Sequence, residues 1–160
     1  METGETPTDF LDWKRQNNLA RCQRIVAYVL RLIKMLLRRV NANLREKVES
    51  TITELRSIEM LPYITARERE IALRVIVHNH QKVHLPPERQ ITLKQLKLKE
   101  DENGILRCRG RLGNPCLPPD AKYPCLIASK SDLARLTVEQ AHGPLYCGTG
   151  HTMAIVRERF

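Results

Sequence analysis

The sequence predicts an α+β fold that is mostly α-helical, with an N-terminal helical segment followed by a small unit of one β-hairpin and two C-terminal helices. Apolar residues recur at helical spacing in the part of the chain before Pro86. An Asn-Gly turn signal follows, with alternating apolar and charged residues beside it. Aromatic residues make up only 4% of the chain, so aliphatic side chains packed between helices must supply the core.

The first predicted helix extends over roughly 19–40, and at ~100° per residue its apolar side chains fall on one half of its surface. These apolar residues are Cys22, Ile25, Val26, Val29, Leu30, Leu32, Ile33, Leu36 and Leu37. The pattern favours a helix that packs on the core, and the alternative is a basic helix that lies on a membrane surface or a nucleic-acid backbone. Arg31, Lys34 and Arg38 interrupt the apolar stretch, so it is too charged to span a bilayer.

Two more helices are predicted before the proline pair at 86–87. One stripe of the second helix is formed by Leu44, Val48, Ile52 and Leu55. This helix should end before Pro62, because a residue that precedes proline disfavours helical geometry. Thr65 and Glu68 fit a capping box at the start of the third helix, which should continue to about Lys82.

The predicted hairpin turns at Asn103-Gly104, which is typical of a type I′ turn because both turn residues need positive φ. Residues 105–112 alternate strictly, with arginines on one face. Together with two arginines near the end of the chain, they could contact nucleic-acid phosphates through forked guanidinium donors. These candidates are Arg107, Arg109, Arg111, Arg157 and Arg159. The alternative is an exposed strand edge protected by charge.

A short strand is predicted over residues 123–128, in the second half of this unit. Ser131 or Asp132 can cap the helix that follows, and this helix should end near Ala141. A last helix should begin at Thr152.

Charge and cysteine content limit the compartment and the partners. Lys and Arg number 27 against 18 Asp and Glu, a net charge of +9 that favours polyanion partners or a solvated basic surface. The five cysteines contain no C-x-x-C pair, and residues 1–8 are too polar for a signal peptide. We therefore expect an intracellular protein, cytoplasmic or nuclear and not secreted.

Five segments, at 13–31, 65–81, 101–112, 122–127 and 142–160, resemble in their order and motifs the polyproteins of Pao-type (BEL/Pao) LTR retrotransposons. Trp13 through Arg31 resembles the "W-x-R…R-x-x-A-Y-x-L-R" helix after the RNase H region, and Thr65 to Gln81 resembles the next helix, which ends near a glutamine. Asp101 to Leu112 resembles the "D-x-x-G-x-L-R-x-x-G-R-L" hairpin, and Lys122 to Ile127 the "K-x-P-x-x-L" strand. His142 through Phe160 resembles the start of the integrase zinc-binding (H2C2) domain.

The resemblance implies a system that inserts element DNA into a genome. It divides the chain into a flexible tail (1–12), a helical Pao-type connector (13–85) and a truncated integrase zinc-binding-like domain (86–160). Reverse transcriptase, RNase H and the carboxylates of an integrase catalytic core are absent from this sequence. We therefore expect a non-catalytic part of a polyprotein, associated with DNA integration and with weak DNA binding.

The alternative is a structural linker between RNase H and integrase that has no binding activity of its own. Its partners would be the neighbouring polyprotein domains. Neither interpretation involves a membrane partner, and both leave the oligomeric state open.

His142, Cys147 and His151 are the candidate zinc ligands, in an H-x4-C-x3-H arrangement. A structural zinc site needs four protein ligands, so this site is incomplete in the sequence. The family's second histidine falls at Tyr146, and its C-x-x-C pair would lie after Phe160. The alternative is a helix-end histidine, a buried thiol and a solvent-exposed histidine.

His80 and His84 are four residues apart on one predicted helix face, a spacing that two metal ligands could use. No acidic residue of the H-E-x-x-H type lies between them, and histidines near a helix C-terminus also interact well with the helix dipole. The sequence favours the second interpretation.

Overall fold

The computed structural model describes residues 8–109, 116–143 and 148–160. Of these, 62% are helical, and a two-stranded antiparallel hairpin is present, so the predicted mostly helical α+β class is confirmed. The α-helices are α1 (Leu19–Leu37), α2 (Ala42–Thr51), α3 (Ala66–His84), α4 (Pro87–Thr92), α5 (Pro119–Lys122), α6 (Asp132–His142) and α7 (Thr149–Arg157). The strands are β1 (Leu98–Glu100) and β2 (Leu106–Cys108), and 3-10 turns cover Trp13–Arg15, Thr53–Ser57 and Lys94–Leu96.

The chain forms two compact units. We call Met1–Leu19 together with Val77–Phe160 the hairpin unit, and Ala20–Ile76 the helical unit. The boundary between them along the chain falls inside α3. The division predicted from the sequence, with its boundary near Pro86, stays a prediction.

The helical unit starts α3 with the predicted capping box. The Glu68 N–H donates to Thr65 Oγ1 (3.1 Å), and the Thr65 N–H donates to Glu68 Oε2 (2.8 Å). Each side chain thereby satisfies a backbone donor that the first helical turn leaves open. Arg31 of α1 donates to both carboxylate oxygens of Glu68, at 2.8 and 2.7 Å, and so links α1 to α3. Hydrogen bonds from Arg31 lower the pKa of Glu68 below its ordinary value despite burial.

The helix α1 buries only part of its apolar half. The buried apolar residues are Leu19, Cys22, Val26, Ala27, Leu30 and Leu37. Val29, Leu32 and Leu36, predicted to belong to the same half, are 48–50% exposed. The apolar half is therefore wider than the surface that the described chain covers.

The hairpin pairs Leu98 with Cys108 and Glu100 with Leu106 in antiparallel register. The predicted type I′ turn is wrong, because only Gly104 has positive φ (73°) while Asn103 does not. The Gly104 N–H donates to the Asp101 carbonyl (3.0 Å), and the Asp101 N–H donates to the Ile105 carbonyl (2.9 Å). This is the longer loop in which a left-handed glycine follows the turn.

Gln81 of α3 connects that helix to the hairpin. Its amide oxygen accepts from the Leu106 N–H (2.7 Å), and its amide nitrogen donates to the carbonyls of Leu106 (2.9 Å) and Leu126 (2.8 Å). Leu85, Leu106 and Ala128 form a buried apolar cluster beside this link. Gln81 is itself only 3% exposed, so its amide replaces the water that these backbone groups lose.

The segment predicted as a strand over 123–128 is instead extended chain with one isolated bridge, from Cys125 to Arg107. Pro124 has no N–H to donate, so this segment cannot form a continuous ladder of hydrogen bonds with β2. The N–H of Leu126 still donates to the Leu106 carbonyl (3.0 Å), so this segment lies along the side of β2 away from β1. At α6, Ser131 is the cap, because its hydroxyl accepts from the Ala134 N–H (3.2 Å).

None of the described helices combines the length and the apolar character that crossing a membrane would require.

Candidate functional site

Asp9, His80 and His84 of the hairpin unit converge into a group that could hold a metal ion. One ligand atom from each residue lies within 4.8 Å of the other two. The four-residue spacing places both histidines on one face of α3, where their ring centroids are 4.5 Å apart. Asp9 completes the group through Oδ2, which is 3.0 Å from His84 Nε2.

Asn79 holds the segment that carries Asp9. Its side-chain oxygen accepts from the Phe10 N–H, and its amide nitrogen donates to the Thr8 carbonyl, each at 3.4 Å. The two hydrogen bonds flank Asp9 and present its carboxylate to the histidines one turn further along α3. Sequence reasoning did not identify Asp9, since it is 71 residues before His80 and nothing near it marks it as a ligand.

His80 is 1% exposed, and its two ring nitrogens have different surroundings. Nε2 accepts from the Ala128 N–H (3.2 Å), whereas Nδ1 has no hydrogen-bond partner among the described residues. Burial lowers the pKa of His80 to about 4, with repulsion from His84 adding to this effect and Asp9 opposing it. The ring is therefore neutral near pH 7.

A cavity of about 820 Å³ adjoins the group. Asp9, His80 and His84 line it together with Arg89 and Lys130. The walls thus contain both ligand-type and cationic side chains, and solvent reaches the group at His84, whose side chain is 33% exposed.

The predicted zinc ligands occupy the corner between α6 and α7. His142 ends α6, and its Nδ1 is 3.0 Å from the hydroxyl of Thr152. His151 is exposed, and Cys147 lies outside the described residues. Within the described ranges, no third histidine, cysteine or carboxylate joins His142 and His151 in a metal-ligand group.

Arg107, one of the predicted nucleic-acid-binding residues, is held by two carboxylates. It donates to Asp101 Oδ2 (2.7 Å) and Asp120 Oδ1 (2.9 Å), and its side chain is 18% exposed. Burial would raise the pKa of Asp101, but hydrogen bonds from Arg107 and from two backbone amides lower it below its ordinary value. The geometry favours a structural role for Arg107, in fixing the hairpin.

Arg109 and Lys122 lie over the ring of Tyr123, and the backbone of Lys97 is bound to that of Arg109. We call these four residues the basic edge. The guanidinium carbon of Arg109 is 5.8 Å from the ring centroid of Tyr123, and Lys122 Nζ is 5.6 Å from it. The backbone N–H of Arg109 donates to the Lys97 carbonyl (3.3 Å), so the backbone of Lys97 lies next to that of Arg109. Among the described residues, none of these three cations has a carboxylate partner.

The end of the chain lies close to this edge. The Cys125 N–H donates to the Arg159 carbonyl (2.9 Å), and both Arg157 and Arg159 are exposed. Arg111 lies outside the described residues. Sequence reasoning identified Arg109 and Arg159 but not Lys97 or Lys122, since these lysines come from other segments that only the pairing around β2 brings together.

Comparisons with protein families, with curated proteins and with solved structures found no match for this chain.

Proposed function

We propose that this chain is a non-catalytic segment of a retrotransposon polyprotein, related to the integrase zinc-binding domain, that binds nucleic acid through the basic edge. The observation that carries this proposal is that Arg109 and Lys122 both lie over the ring of one exposed tyrosine, Tyr123. Cations without carboxylate partners contact phosphates regardless of sequence. An aromatic ring between them offers a stacking surface to an unpaired base.

The ion pairs of Arg107 support the same proposal. Its guanidinium engages Asp101 and Asp120, the carboxylates that would otherwise repel a phosphate from this part of the unit. Weak, sequence-tolerant binding is the expected behaviour, because nothing in this arrangement reads base edges.

The zinc part of the proposal concerns His142. The Thr152 hydroxyl lies 3.4 Å from the Gly148 carbonyl, the usual acceptor for a threonine within a helix. His142 then carries its proton on Nδ1, facing Thr152, which leaves Nε2 with the lone pair that zinc requires. In a longer polyprotein, Cys147 and a downstream cysteine pair would complete the site.

The proposed nucleic-acid binding is tested by fluorescence anisotropy of a labelled single-stranded oligonucleotide over a salt series. We expect Arg109→Ala and Lys122→Ala each to weaken binding and to reduce the slope of log K against log[salt] by about 0.7, the single-strand value for one phosphate contact. Tyr123→Ala should weaken binding to the single strand more than to a duplex, since only unpaired bases can stack on the ring.

Arg135→Ala is the matched control. Arg135 is an exposed arginine of the same unit, but it is paired with Glu139 at 2.9 Å, and its removal should leave the slope unchanged. Binding that shows no dependence on salt, or that all four variants reduce equally, would contradict the proposal.

A second candidate function is the structural linker, and a specific observation favours it. The face of α1 turned away from the buried residues carries large apolar side chains that the described chain leaves open. Their exposed fractions are 62% for Tyr28, 48% for Val29, 49% for Leu32, 43% for Met35 and 50% for Leu36. A contiguous apolar face of this kind marks an interaction surface, here for a neighbouring domain of the same polyprotein.

A further inference from the structure

We propose that Asp9, His80 and His84 form a zinc site, separate from His142 and His151, with its fourth coordination position facing the adjoining cavity. Two histidines and one carboxylate are a recurrent ligand set for zinc sites that keep one position open. This site uses residues from the N-terminal segment and from α3, so it does not depend on the proposed nucleic-acid binding.

The distances fit a zinc ion after small side-chain movements. Ligands bound at about 2.1 Å in a tetrahedron lie about 3.4 Å from one another. His84 Nε2 and Asp9 Oδ2 are already 3.0 Å apart, and all three ligand atoms lie within 4.8 Å. Closing the remaining gap requires shifts of roughly 1 Å, within the range of side-chain rotation.

Two buried polar atoms at the group point to the same ligand. His80 Nδ1 and Asp9 Oδ1 are both buried, and neither has a hydrogen-bond partner among the described residues. Leaving a buried polar atom without a partner is unfavourable, because the atom has lost its hydrogen bonds to water. A cation bound by the imidazole and the carboxylate gives both atoms a partner, at the expense of the hydrogen bond from the Ala128 N–H to His80 Nε2.

Zinc binding has a defined proton requirement at His80. Without metal, the Ala128 N–H donates to Nε2, so the neutral ring carries its proton on Nδ1. To bind zinc, Nδ1 must present a lone pair instead of its proton. The ring proton therefore moves to Nε2, which can then no longer accept from the Ala128 N–H. The ring stays neutral throughout, and the Ala128 amide becomes a reporter of zinc at this site.

The experiment measures zinc affinity by competition with a chromophoric chelator, in a His142→Ala/His151→Ala background that removes the other histidine ligands. We expect one zinc ion per chain in this background. Adding His84→Ala or Asp9→Asn should weaken the affinity at least tenfold, because each removes a direct ligand. His78→Ala on the same helix should leave the affinity unchanged.

Two spectroscopic readouts identify the ligands. Cobalt(II) in place of zinc should give the visible bands of a tetrahedral ion without the near-ultraviolet thiolate band that Cys147 would produce. Zinc should also shift the Ala128 amide resonance in the background protein and not in its His84→Ala variant.

Asp9→Asn keeps the size of the side chain and lies outside α3, so its helical circular dichroism should match that of the background. Absence of zinc binding in the background overturns this proposal and leaves the nucleic-acid proposal untouched. Binding that survives both His84→Ala and Asp9→Asn, or that shows the thiolate band, also overturns it.

Discussion

At the scale of single residues, His80 links protonation to stability. Its folded pKa of about 4 lies below the ordinary value of 6.5, so between these values the unfolded chain binds the proton that the folded chain excludes. The stabilising contribution of the neutral ring is therefore complete above about pH 6.5. It is lost as the pH falls toward 4.

We expect the free energy of unfolding to fall by about 3 kcal/mol between pH 7 and pH 4 on account of His80 alone. Urea unfolding across this range, with a chelator present, measures the decrease. In His80→Gln, the side-chain oxygen can still accept from the Ala128 N–H, but no group titrates. Between pH 7 and pH 4, the free energy of unfolding of the variant should therefore fall by about 3 kcal/mol less than that of the wild type. An equal decrease in the two proteins would show that His80 is not the titrating group.

The histidine spacing could be read from the sequence, but the group it belongs to could not. Helical periodicity places His80 and His84 on one face, and with no acidic residue between them the sequence favours an interaction with the helix dipole over metal binding. Asp9 reaches them only because Asn79 binds the backbone on both sides of it. Local patterns carry no information about a contact across 75 residues between Asp9 and His84.

At the scale of elements, Gln81 ties α3 to β2 and to the segment that follows α5. Gln81 is the hydrogen-bond partner of the Leu106 N–H and of the Leu126 carbonyl. The Leu106 carbonyl, in contrast, accepts from the Leu126 N–H as well as from Gln81. Removal of the amide therefore leaves the buried Leu106 N–H and the partly buried Leu126 carbonyl without that partner.

We expect Gln81→Leu, which keeps a similar volume, to lower the free energy of unfolding by about 3 kcal/mol, measured by chemical denaturation. Gln90→Leu is the control, because Gln90 makes one partly exposed hydrogen bond to the Leu85 carbonyl (2.9 Å), and it should cost less than about 1 kcal/mol. Equal losses in the two variants would mean that Gln81 acts through helix propensity and not through the backbone groups it satisfies.

Element boundaries set by local chemistry were predictable. The Thr65–Glu68 capping box forms as predicted, and Ser131 is the cap among the two candidates, Ser131 and Asp132, that the sequence offers for α6. The loop between β1 and β2 was not predictable in this way. The predicted type I′ turn does not form, because the Asp101 carboxylate accepts from the Asn103 and Ile105 amides and stabilises a longer loop. An Asn-Gly pair alone does not indicate such a competing acceptor.

At the scale of the whole molecule, the surface of α1 decides how the isolated chain behaves. Periodicity predicts an apolar half for this helix, but only the three-dimensional arrangement shows how much of that half other residues cover. An apolar face left open to water favours association with another apolar surface.

We expect the purified chain to self-associate as its concentration rises, and Leu32→Ser/Leu36→Ser to shift it toward monomer. Size-exclusion chromatography with light scattering measures both. Ile91→Ser is the control, since Ile91 is 60% exposed but belongs to α4 of the hairpin unit. A wild-type chain that stays monomeric at high concentration argues against the linker function.

The Asp101–Arg107 ion pair that fixes the hairpin has a consequence for the order of folding. Its partners are only 6 residues apart, whereas Gln81 must meet Leu106 and Leu126 across 25 and 45 residues. Closing the longest of these loops costs roughly 1.8 kcal/mol more chain entropy than closing the shortest. The chain can therefore form the hairpin from neighbouring residues first. Gln81 of α3 then makes its hydrogen bonds to a hairpin that has already formed.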